Sequence, residues 1–118
     1  MGFSNDMPIY LQIVRLIKEE IARGDLKNGD KYPSVRDIAH TYKVNPNTVQ
    51  RSMQVLEQEG LVEIRRGIGS FIVDDPESIL RMKEELANSY MSRFLKRMEN
   101  IGYSKEQAIG FLEDHDVR

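Results

Sequence analysis

Between residues 45 and 51, the run Asn45-Pro46-Asn47-Thr48-Val49-Gln50-Arg51, five side chains carry amide, hydroxyl or guanidinium groups. At neutral pH such groups give and take hydrogen bonds without exchanging protons, so they suit recognition rather than proton transfer. A second set lies downstream, where Arg65 and Arg66 precede Gly67. Arginines beside glycine let cationic side chains and bare backbone approach a phosphate together. Arg36, two residues after Ser34, is a third candidate. Groups for covalent or acid-base chemistry are scarce. There is no cysteine, which excludes disulfide frameworks and thiolate metal sites. His40 and His115 stand far apart with no carboxylate or cysteine at ligand spacing, so neither a metal nor another cofactor is expected. No glycine loop opens a helix and no ordered nucleophile and base occur, which argues against an enzyme.

The elements that must carry these groups have local causes. Ser34 caps a helix, with Asp37 three residues on in the place of a capping-box glutamate, and Val35, Ile38 and Ala39 give that helix an apolar stripe. Tyr42-Lys43-Val44 ends it. Asn45 caps the next helix with Pro46 as its first residue, where a missing N–H costs nothing. Val49, Met53 and Leu56 form its buried stripe, and Gly60 supplies the left-handed stop. Leu61 to Arg65 and Ser70 to Val73 are β-prone, with a turn at Gly67-Ile68-Gly69. Two short helices followed by a hairpin is the layout of a winged helix-turn-helix. A helix with a polar N-terminal face is what a major groove accepts, so double-stranded DNA is the expected partner. The alternative is a protein-interaction module that reuses the winged fold. Arg65 and Arg66 alternate across the strand, so one of them faces DNA, and Arg66 is favoured. Arg36 has a bland competitor role in pairing with Asp37 or Glu59. For Asn45, capping is the stronger role.

Upstream, Asp6 reads as an N-cap with Pro8 just inside a helix whose Ile9, Ile13, Leu16, Ile17 and Ile21 keep helical spacing up to Gly24. This helix is expected to pack across the other two. Residues 25–32 read as a turn and a short extended piece that pairs with the hairpin as a third strand. Downstream, Asp74-Asp75-Pro76-Glu77 forms a break, and a long helix runs from Ser78 to about Asn100. Ile79, Met82 or Lys83, Leu86, Tyr90, Phe94 or Leu95, and Met98 recur along it at helical steps. Gly102 closes it, Ser104 with Gln107 makes a capping box, and Ala108, Ile109, Phe111 and Leu112 mark a last short helix. Two helices alone do not easily bury both apolar faces. A second copy of the chain is the simplest partner, with Leu86, Tyr90, Phe94, Met98 and Phe111 as a dimer core rather than a ligand cage. The expected class is mostly α with a small β-hairpin, a winged helix-turn-helix over residues 1–75 and a helical dimerisation tail over 76–118.

A chain of 118 residues holds one compact domain plus an appendage, so any effector site is small or shared between subunits. The net charge of −2 is unlike a strongly basic nucleic-acid binder, but distribution matters more than the sum. Residues 33–73 hold Arg36, Lys43, Arg51, Arg65 and Arg66 against Asp37, Glu57, Glu59 and Glu63. The last three acids are expected away from the contact edge. The start MGFSNDMPIY lacks a signal pattern, and no apolar run approaches the ~18 residues of a membrane span, so a cytoplasmic protein is expected.

The runs PIYLQI and KYPSVRDIAHTYKVNPNTVQRSMQVLEQEGLVEIRRGIGSFIV resemble the DNA-binding domain of GntR-type bacterial transcription regulators. The short two-helix tail and the VNPNTV variant are similar to the YtrA-type subfamily. The resemblance implies a homodimer on an inverted-repeat operator, usually as a repressor, with effector binding typical of the family but only a minimal tail here. It also implies that Arg36 reaches DNA from the start of the second helix, that Thr48 touches DNA from the recognition helix, and that Gly67 is the wing-tip glycine, preceded by Arg66. Pro46 and Gln50 stand where many members have arginines, with Arg51 displaced by one. Asn47 and Gln50 are then the candidates to read adenine edges, since an amide side chain matches N6 and N7.

Overall fold

A computed structural model describes residues 6–26 and 29–115. The elements run α1 (Ile9–Arg23), β1 (Lys31–Tyr32), α2 (Val35–Tyr42), α3 (Pro46–Gln58), β2 (Val62–Arg65), β3 (Gly69–Ile72), α4 (Pro76–Asn100) and α5 (Lys105–Asp114). Helix dominates, with one small antiparallel sheet in the order β1-β3-β2. The expected third strand is present, because Lys31 and Tyr32 pair with Phe71 and Ser70. Bonds from Gly29 N to Ile72 O and from Ile72 N to Asp30 O, both 2.8 Å, extend that pairing. The turn expected over residues 25–32 lies partly outside the described residues.

Packing centres on α3, against which α1, α2 and β2 all lie. Its Val49, Met53 and Leu56 meet a core that includes Ile13, Ile17, Ile38 and Ile72, all buried. Each such side chain contributes roughly 1.5–3 kcal/mol by leaving water. The main packing of α1 and of α2 is on α3, and α1 also reaches α2 through Glu20 and Tyr42. Fully buried Ser52 welds α3 to α1, its Oγ 2.7 Å from Tyr10 O and 3.1 Å from Thr48 O. A second polar tie crosses three elements. Tyr32 Oη donates to Glu20 Oε1 at 2.9 Å, and Tyr42, the last residue of α2, also hydrogen-bonds Glu20. Burial, reinforced by the Glu20 charge, pushes both phenols above their ordinary value.

Two helix starts differ from expectation. Pro8, not Asp6, is the N-cap of α1, and its carbonyl takes the amides of Leu11 and Gln12 at 3.1 and 3.2 Å. Proline's fixed φ serves the cap position itself, with no side-chain bond required. The long helix begins at Pro76 rather than Ser78. Asp75 caps it, taking Ser78 N at 3.4 Å and Ser78 Oγ at 2.7 Å, and those bonds hold its carboxyl below the ordinary range. Proline is thus the first residue of the helix, as Pro46 is of α3, and not a break before it.

The chain packs as two compact units, residues 1–83 and 84–118, with α4 running through the boundary. Buried Met82 belongs to the first. In the second, the Ser104–Gln107 capping box forms in both directions, Tyr103 and Phe111 meet edge to face at 5.0 Å, and Ala108 is fully buried. Leu86, Leu95 and Met98 are half-buried, whereas Tyr90, Phe94, Ile109, Phe111 and Leu112 are exposed. Among the described residues no helix is long and apolar enough to cross a membrane.

Candidate nucleic-acid interface

Helix starts set the geometry of the candidate contact edge. Ser34 Oγ accepts from Asp37 N at 3.1 Å, which fixes the first turn of α2 and leaves the neighbouring Arg36 exposed. The competitor roles for Arg36 fail. Glu59 is held by Lys18 at 2.6 Å, and among the described residues Arg36 makes no ion pair. Asn45 Oδ1 accepts from Asn47 N at 2.8 Å, so one end of the Asn45 amide is spent on capping. Asn47 and Gln50 are exposed on α3, and Thr48 is half-buried beside them.

The wing separates its two arginines. Arg65 lies 3.1 Å from Glu63 and stacks 4.2 Å over the Phe71 ring, which occupies both its charge and its planar face. Arg66, at the turn, is exposed and makes no ion pair among the described residues. Ile68 N donates to Arg65 O at 3.0 Å, and Gly67 takes φ 76° within that turn, a conformation glycine adopts without strain. Arg51 is also engaged, its guanidinium 3.9 Å from the centroid of the Tyr10 ring on α1. A cation over an aromatic face is stabilised by the ring quadrupole, so Arg51 is held toward α1.

Between α3 and the wing lies a groove of about 400 Å³. Val35, Met53 and Ile64 line it together with Gln50, Gln54, Glu57, Arg66 and Ser70. It brings Gln50 and Arg66 together, from separate elements. Gln54 and Ser70 were absent from the sequence-based candidates, although spacing held the signal: Gln54 is one helical turn beyond Gln50, and Ser70 pairs with Ile64 across the hairpin. The expectation for Glu57 is corrected. It lines this groove rather than lying away from it, and its Oε2 sits 3.4 Å from Ile64 N, where it covers an amide of the edge strand β2. No ion pair joins Glu57 to a neighbour among the described residues.

With this geometry the comparisons agree. The family model for bacterial regulatory proteins of the gntR family matches residues 9–72, from the first residue of α1 to the last of β3. The chain belongs to the GntR family. This GntR regulator is 42% identical over 107 residues to the uncharacterised HTH-type transcriptional regulator YhcF of Bacillus subtilis, covering 91% of this chain and 88% of YhcF. It is 44% identical over 73 residues to the HTH-type transcriptional repressor YtrA of the same organism, covering 62% of this chain and 56% of YtrA. A solved GntR family transcriptional regulator from Listeria monocytogenes superposes with a TM-score of 0.86 at 33% identity, over 97% of this chain and all of that one. The GntR chain is thus a DNA-binding transcriptional regulator of the YtrA type.

Proposed function

We propose that the protein is a homodimeric repressor that binds an inverted-repeat operator. The observation that carries the DNA-contact assignment is the joint exposure of Arg36, the N-terminal face of α3 and Arg66, with no carboxylate paired to either arginine among the described residues. In this reading Arg36 and Arg66 take phosphates or base edges, the Gly67 backbone approaches the strand, and Asn47, Thr48 and Gln50 read the major groove. Ser34 and Asn45 set helix starts, while Arg51 and Arg65 steer the surface from engaged positions. Dimerisation is assigned to residues 76–118 around Leu86, Tyr90, Phe94, Met98 and Phe111. Support comes from Tyr90, Phe94 and Phe111, large aromatic groups left exposed there, since large exposed apolar side chains are what an interface covers. Related patches meeting across a two-fold axis would place two recognition helices about one or two helical turns of DNA apart. The resemblance to YtrA, a repressor by name, supports the direction of regulation.

The test is a titration of the full chain with duplexes selected from a random pool by the wild-type protein. An inverted repeat should emerge, with affinity falling steeply as salt rises. Selection of a single, non-repeated half-site would count against the dimeric operator. Absence of any salt-sensitive binding would remove the DNA assignment itself.

A further inference from the structure

Four helices end at or just before a residue in the left-handed region, and they do so in two ways. After α1, α3 and α4 that residue is Gly24, Gly60 or Gly102, at φ 84°, 76° and 95°. After α2 it is Lys43, at φ 57° and ψ 49°, the one non-glycine residue with positive φ among the described residues. A side chain here crowds the following carbonyl, a clash glycine avoids. Residues kept in such conformations concentrate where function requires them.

Local packing gives no reason for a lysine. Its side chain is exposed and has neither an ion pair nor a hydrogen bond among the described residues. The bonds that close α2, from Lys43 N to His40 O at 3.3 Å and from Val44 N to Ala39 O at 3.0 Å, are backbone bonds that glycine would make equally well. What Lys43 adds is a mobile cation in the turn between the two helices whose first turns carry Arg36 on one side and Asn47 and Thr48 on the other. A lysine is a compact point charge on a flexible stem, suited to a phosphate rather than a base edge.

We propose that Lys43 contacts a backbone phosphate of the bound DNA, and that this contact is why the turn carries lysine in a conformation favouring glycine. The proposal rests on the DNA-binding reading above. Its competitor is purely structural, because a cation near a helix C-terminus also meets the negative end of the helix dipole. The two roles separate cleanly. A dipole role makes Lys43 a stability residue. A phosphate role makes it an affinity residue whose loss relieves the backbone.

The experiment compares full-length wild type, K43G, K43N and K43R on a duplex selected by the wild type, at several KCl concentrations, with a thermal melt of each protein. K43G is expected to melt at or above wild type and to bind roughly three- to tenfold more weakly near 0.1 M salt. Its slope of log affinity against log salt should be shallower by about 0.9, the effect of one phosphate. K43R should restore the slope. K43N tolerates the left-handed region without charge and without glycine's added freedom in the unfolded chain, so it should reproduce the shallower slope. A K43G and K43N slope equal to wild type, in a wild type that does bind with salt dependence, would overturn the proposal alone. A wild type without salt-dependent binding would overturn the DNA reading and this inference with it.

Discussion

On α3, Val49, Met53 and Leu56 are at most 1% exposed, whereas in the tail Tyr90, Phe94 and Phe111 are 37%, 36% and 49% exposed. The winged-helix unit satisfies its apolar stripe within one chain and turns polar and cationic groups outward. The tail does the reverse, closing its helix ends with a complete capping box while leaving large apolar groups in water. The capping box and the Tyr103–Phe111 contact give the tail local order, and the exposed apolar side chains are what the proposed association would cover. In the proposed reading one unit recognises DNA and the other associates with a second copy.

The largest expected effect breaks this contrast at the tail. Phe94→Asp puts a charge into the proposed seam and should give monomers with the winged-helix unit still folded. Loss of the second half-site should then weaken operator binding by roughly 100-fold, as effective concentration disappears. A stable dimer of this variant in a sedimentation experiment would place the interface elsewhere. Next comes a matched pair of leucines. Leu56→Ala should cost about 2–5 kcal/mol of stability in a denaturant titration. Leu112→Ala, by contrast, removes a side chain that is 55% exposed in one chain, and should change monomer stability by less than about 1 kcal/mol while weakening association. Equal losses at the two positions would mean the tail has a core of its own.

A smaller effect sharpens the recognition unit. Arg66→Ala and Arg36→Ala should each cost roughly 1–3 kcal/mol in operator affinity. Arg65→Ala should cost less, since Glu63 and Phe71 already engage that guanidinium. An order reversed between Arg65 and Arg66 would show that DNA draws Arg65 out of its pair. Smallest is a pH effect at alkaline values. The phenols of Tyr32 and Tyr42 are raised in the folded chain, so the stability they contribute is fully present below the unfolded value near 10 and is lost as pH rises beyond it. Melts above pH 10 should fall more steeply for wild type than for Tyr32→Phe. Parallel curves would show that the Glu20 tie does not feel the deprotonation.

What the sequence made legible was mostly local. Ser34, Asn45 with Pro46, Gly24, Gly60, Gly102 and Ser104 each act on residues within one helical turn, and each boundary they imply is found. The third strand was legible because residues 31–32 follow a turn and precede a cap, leaving little else for them to do. The Pro8 and Pro76 helix starts were misjudged, because proline signals both a break before it and a first turn after it, and only the neighbouring carbonyl or carboxylate decides. Contacts between distant residues were not legible. Arg51 on Tyr10, Arg65 on Phe71, and Glu20 between Tyr32 and Tyr42 depend on packing that no spacing rule encodes. Two of those contacts engage Arg51 and Arg65, cations that a residue count alone would leave free for DNA.

The division of labour between the two units stands or falls on stoichiometry. Sedimentation equilibrium of the full-length chain with a selected inverted-repeat duplex should give two chains per duplex, and one free dimer in its absence at micromolar concentration. One chain per duplex, or a free wild-type monomer at that concentration, would contradict the association role of the tail and with it the two-fold reading of the operator.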